Sequence, residues 1–129
     1  MNTHIISIPH REQRYSTLGD YWTDRDDATH IVVSAMPDWR HEFLIALHEL
    51  VEEALTRHRG IAEERIMAFD VDFNRRREEA GYEPRDPGME PDAPYHREHV
   101  AATALEMLVA DMLGVKWSDY ERACEEVAG

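Results

Sequence analysis

The longest run of helical periodicity in the chain is Trp39 to Gly60, WRHEFLIALHELVEEALTRHRG. At about 100° per residue, Leu44, Leu47, Val51, Ala54 and Leu55 form one apolar stripe, with His41, His48 and Glu52 along its border. Asp38 suits the N-cap after Pro37, and Arg57, His58 and Arg59 suit the negative end of the helix dipole just before Gly60. The spacing therefore predicts a helix over 38–59.

Ahead of it, residues 1–36 carry strand signals. Ile5 to Ile8 and Thr29 to Ala35 are short, apolar and β-branched, and the aromatic stretch around Tyr21 supplies a third candidate before a turn at Asp24 to Asp27. Two or three strands alone are marginal, so helices must cover one face. Downstream, Ile61 to Ala80 reads as a second helix with Ile66, Phe69, Val71 and Phe73 as apolar contacts. Asp70 falls beside that face. Residues 82–94 hold four prolines and Gly88 and read as a surface loop. Residues 95–113 form a third helix, with Ala102, Leu105, Val109, Met112 and Leu113 as its stripe and His99, Thr103 and Glu106 along one border, His96 nearby. Ser118 and Glu121, spaced as a capping box, open a short terminal helix over 118–127. The expected fold is thus a single α+β domain, a small N-terminal antiparallel sheet of two or three strands packed on three to four helices.

Composition narrows the chemistry. The chain has 129 residues, a net charge of −13 with histidine neutral, eight histidines and one cysteine, Cys124. One cysteine excludes an internal disulfide and a cysteine-based zinc site, which leaves imidazole and carboxylate as metal ligands. The acidity disfavours direct contact with nucleic acid or an anionic membrane; it suits solubility, a basic partner, metal ions or mimicry of nucleic acid. With no apolar run near the roughly 18 residues that span a bilayer and no signal-peptide pattern, the expected location is the cytosol. The pattern sets no oligomeric state.

His48 and Glu52 stand one helical turn apart and can face one metal ion, with Glu49 at an adjacent azimuth as general base. The third ligand is expected from His99, with Asp70 and His96 next in line; Asp70 is also a candidate partner that orients an imidazole. If the two long helices pack by their apolar stripes, His48, Glu52, His99 and Glu106 converge at the edge of the core. Zinc is the expected ion, and a carboxylate ligand suits manganese or iron as well.

Residues 48 to 52, His-Glu-Leu-Val-Glu, resemble the His-Glu-x-x-His helix of zincin metallopeptidases, and a short strand ahead of the helix is similar to the edge strand above the zincin metal. Glu52 stands where zincins have their second histidine. The resemblance implies a metal-dependent hydrolase. Glu49-x-x-Glu52 is also similar to the magnesium-holding helices of nucleoside-triphosphate pyrophosphohydrolases, but their second Glu-x-x-Asp element is missing. A paired-iron bundle would need Glu-x-x-His on two helices, and neither helix supplies one. Across most of its length, at Gly19-Asp20-Tyr21-Trp22, Asp38-Trp39-Arg40, Glu42-Phe43-Leu44, His48 to Glu52, Phe69-Asp70, Ala93-Pro94-Tyr95, Glu98-His99 and Leu113-Gly114-Val115, the chain resembles a group of small proteins encoded by tailed phages and prophages. That resemblance implies a phage or bacterial context and an alternative role: a noncatalytic acidic phage protein that binds and modulates a host protein, with Tyr21, Trp22 and Trp39 as anchors.

Overall fold

Strand β3 (Thr29–Ser34) is the apolar spine of the N-terminal sheet, flanked by β1 (Thr3–Ile8) and β2 (Gly19–Thr23) in a computed structural model that describes Met1–Gly129. The α+β architecture matches the sequence pattern. β2 pairs antiparallel to β3 as expected, but β1 pairs parallel to it, so the sheet is mixed. The chain from Pro9 to Leu18 crosses the face of the sheet and re-enters on the far side of β3, which reverses the order from a simple hairpin. That crossing segment is tied down where it lies: Gln13 Nε2 donates to Leu18 O, Val32 O and Ser34 Oγ at 3.3, 3.4 and 3.1 Å.

Ile31 and Val33 point to the other face and are fully buried with Leu44 and Ile45 of α1 (Trp39–Arg59). The ends of α1 follow its sequence signals. Asp38 accepts from Arg40 N at 2.9 Å, and Gly60 adopts a left-handed φ of 71° that L side chains resist. α2 (Glu63–Glu79) buries only Phe73. Residues 82–94 form the expected connection, within which Pro87–Met89 makes a single 3-10 turn. α3 (His96–Met112) and α4 (Trp117–Ala128) complete the chain. No side chain caps α4, so the Ser118–Glu121 box does not form; the helix begins a residue earlier and Glu121 accepts from the Trp117 indole at 3.0 Å. No helix is long and apolar enough to cross a membrane.

α1 and α3 run antiparallel, clamped at both ends. Arg40 Nη1 donates to Leu113 O at 3.1 Å, while Arg59 donates to Pro94 O at 2.8 Å and pairs with Glu98. This register sets His48 opposite His99. The faces in contact differ from the expected apolar stripes. α1 buries Leu44, Ile45, His48, Glu52, Glu53 and Thr56, and α3 buries Glu98, His99, Ala102, Glu106 and Ala110. The polar borders are inside, because α1 lies between the sheet and α3 and each packs on the side where those residues point. Leu55, Leu105 and Met112, expected in the core, are exposed instead.

Candidate metal centre

The antiparallel register brings three donor atoms to one point. His48 Nε2 and Glu52 Oε2 lie 3.0 Å apart, His99 Nδ1 lies 2.7 Å from Glu52 Oε2, and the two imidazole nitrogens are separated by 3.2 Å. All three residues are buried. The first two share a helix face because they are four residues apart, and the third is carried in by α3.

Each donor residue is held from behind by a different element. His48 Nδ1 bonds Glu106 Oε1 at 2.8 Å, and Glu106 Oε2 accepts from the Tyr120 hydroxyl of α4 at 2.5 Å. His99 Nε2 bonds Asp86 Oδ2 at 2.8 Å, while Asp86 Oδ1 caps the 3-10 turn by accepting from Gly88 N at 3.1 Å. Glu52 Oε1 accepts from the Tyr21 hydroxyl of β2 at 3.0 Å. With a carboxylate behind each imidazole, the outer nitrogens carry protons and the inner ones are aimed at the common point. This is the outer shell that ordinarily orients metal-bound histidines.

Electrostatics follow from the packing. Burial works against charge on both imidazoles, but Glu106 and Glu52 outweigh it at His48, and Asp86 and Glu52 outweigh it at His99, lifting their pKa values to about 11 and about 9. Burial likewise opposes ionisation of Glu52, yet the two histidines hold it down at about 2. Without a metal, protons on the two inner nitrogens are shared with Glu52 Oε2 and stand where a cation would. Two nitrogens and one carboxylate oxygen, converging and backed in this way, are a donor set suited to a divalent metal ion. A His–Glu–His group of this kind can hold a divalent ion.

The centre opens into a cleft of about 1050 Å³ between the sheet, α1 and α2. Glu49, the expected base, lines it, and burial together with Glu52 raises its pKa to about 8. Asp70 lines the cleft too but is neither a ligand of the group nor the acceptor for an imidazole. Its Oδ1 accepts from the Tyr95 hydroxyl at 2.6 Å, and Tyr95 sets its ring edge against His99. Asp86 takes the orienting role expected of Asp70. His96 turns away to bond Gly88 O at 3.0 Å. Glu106 joins the convergence from behind His48, as the border pattern suggested.

Sequence reasoning missed Asp86, Tyr21, Tyr120 and two glycines. A Cβ on Gly88 would meet His99 Cγ and Nδ1 at 2.5 Å, and one on Gly19 would meet Glu49 Cγ and Oε1 at 2.7 Å. Asp86-Pro87-Gly88 carries a turn signal, but nothing in it announces a histidine partner. Of the aromatic anchors considered, Tyr21 is committed to Glu52, Trp22 stacks on His30, and Trp39 is exposed. No protein-family model matches the chain, and no curated protein or solved structure matches it either.

Proposed function

We propose that the protein is a metal-dependent hydrolase, zincin-like in outline, with His48, Glu52 and His99 as ligands and Glu49 as general base. The observation that carries this reading is the convergence of three buried donors, each backed by its own partner, at the floor of an open cleft. A structural ion needs no such opening. The edge strand β2 adds support: Gly19, Asp20 and Tyr21 border the cleft beside the motif helix, in the position an extended substrate would pair with.

A bound zinc or manganese ion would supply Lewis acidity, polarising a carbonyl or phosphoryl oxygen and acidifying a water. The chain's own residues do the rest. Glu106 and Asp86 keep the imidazoles in the ligating orientation, Tyr21 fixes Glu52, and Glu49, once ionised above its raised pKa of about 8, accepts and returns the proton that moves during attack.

Elemental analysis of protein purified without an affinity tag, set against His48→Ala and His99→Ala, is the first test. Wild type should carry or take up zinc or manganese, and both variants should lose it. A wild type with no affinity for either ion would sink the proposal. Glu49→Gln should keep the metal while hydrolysis of a peptide or ester library falls by about 10²- to 10⁴-fold.

A further inference from the structure

Asp70 Oδ1 accepts from the Tyr95 hydroxyl at 2.6 Å, and the Tyr95 ring meets His99 edge-on with centroids 6.0 Å apart. The carboxylate thus stands in the cleft wall, one tyrosine away from the candidate metal group. Its other oxygen, Oδ2, meets no donor of the chain, and no cationic side chain pairs with it. The remaining cleft acids, beyond Glu52 and the proposed base Glu49, are accounted for. Asp20 takes Arg14 at 2.7 and 3.0 Å, Asp86 holds His99 at 2.8 Å, and Glu63 and Glu78 are exposed to water. Both arginines lining the cleft are engaged as well, Arg14 on Asp20 and Arg75 on Asp72 and Glu79 at 2.6 and 3.0 Å. Half-buried Asp70 therefore holds a charge that the folded chain leaves unanswered.

We propose that Asp70 selects substrates with a lysine- or arginine-like side chain beside the bond to be hydrolysed, the ammonium or guanidinium lying on Oδ2. The assignment rests on the metal-centre reading for where that bond lies. The surroundings of Asp70 suit such a side chain. Ile66, Met67 and Val71 line the same cleft from the same helix, so an aliphatic stem finds apolar contacts on the way to the carboxylate. The cation then completes a charge-assisted hydrogen bond to an oxygen that has no other partner. An acidic side chain would instead face Asp70 and Asp86 with no free arginine to receive it, which excludes it as firmly as the cation is favoured. Burial raises the Asp70 pKa to about 6, which leaves the carboxylate ionised at pH 7.

Calorimetric titration of the zinc-loaded protein at pH 7 with hydroxamates, which grip the metal, tests the assignment. ε-Aminohexanoyl hydroxamate carries a lysine stem and its ammonium, and heptanoyl hydroxamate has a methyl in the ammonium's place. Wild type should bind the amine about 10- to 100-fold more tightly, the range of a hydrogen bond to a charged group. Asp70→Asn, which keeps an acceptor for Tyr95, should erase that preference by weakening the amine alone. Met67→Lys, at an exposed position one turn before Asp70, supplies a competing cation and repeats the test should the first variant misfold. Glycyl and propionyl hydroxamates make the same comparison for an α-amino group and should show no such preference. An equal or greater preference in the glycyl pair overturns the assignment, and so does one that survives both variants or is missing from zinc-loaded wild type. A chain that takes up no zinc overturns the metal centre and this assignment together, so the two failures are told apart.

Discussion

His48 Nε2 and His99 Nδ1 face each other at 3.2 Å across the α1–α3 seam, and both lie within 3.0 Å of the same oxygen of Glu52. With pKa values of about 11 and about 9, both rings are cationic at neutral pH in the metal-free protein. A divalent ion entering the centre therefore displaces two protons. Zinc affinity should rise with pH, by up to about 100-fold per unit below pH 9, and calorimetric titrations in two buffers of different ionisation enthalpy should count about two protons released. Release of none would mean that the ion binds elsewhere.

Stability of the metal-free protein should move the opposite way. A histidine whose folded pKa lies above the ordinary 6.5 stabilises the fold fully below that value and loses its contribution as pH rises through the folded pKa, here about 9 and about 11. Glu49 at about 8 and Asp70 at about 6, both raised first by burial, act in the same direction, since the folded state holds their protons longer. Glu52, at about 2, stays ionised throughout. Thermal melts in chelator should therefore fall steadily from pH 6 to pH 10, and saturating zinc should flatten or reverse that slope. A metal-free melting temperature that climbs over this range would contradict the assigned ion pairs.

Gly88→Ala should weaken zinc binding by about 10- to 100-fold, the usual cost of disturbing the shell behind a ligand, with little change in fold. The added methyl would sit 2.5 Å from His99 Cγ and Nδ1, and Gly88 does not require the left-handed backbone region. The ring must move while the 3-10 turn remains. Competition with a chromophoric chelator reads the affinity, and circular dichroism reads the fold.

Glu106→Gln should cost a similar factor, because the amide no longer supplies a charge behind His48 Nδ1. Tyr120→Phe should cost less, since it removes only the hydroxyl that donates to Glu106 Oε2. In a double-mutant cycle the two losses should be less than additive, as both act through one carboxylate. Full additivity of the binding energies would show that Tyr120 and Glu106 act separately.

The elements were legible because their local signals agree: Asp38 and Gly60 close α1, the β-branched run at 30–34 makes the central strand, and the prolines of 82–94 break the chain. The candidate metal group was legible because His48 and Glu52 share a helix face and His99 sits on a matching border. What periodicity did not show is which face of each helix would be buried. It assumes that apolar stripes pack, but at this seam the paired histidines and carboxylates neutralise one another and are buried, while Leu105 and Met112 remain outside. Asp86 and Tyr120 were hidden for a different reason. They reach the centre from the loop ahead of α3 and from α4 beyond it, and only the fold sets them against His99 and Glu106.

Gly19→Ala separates Glu49 from the ligands. Gly19 opens β2 at the rim of the cleft, and a methyl there would lie 2.7 Å from Glu49 Cγ and Oε1 and 2.8 Å from Ile45 Cγ2. Ile45 is buried in the core and has little room to yield, so Glu49 must take most of the shift. His48, Glu52 and His99 hang from other contacts and should keep their positions. The expected result is zinc affinity within about threefold of wild type, with hydrolysis reduced by about 10- to 100-fold because a base displaced by about 1 Å loses its alignment. Gly88→Ala should show the converse, with weakened metal binding and activity recovered at saturating zinc. If Gly19→Ala and Gly88→Ala reduced metal affinity equally, Glu49 would belong to the metal's own support and the role of general base would have to be given up.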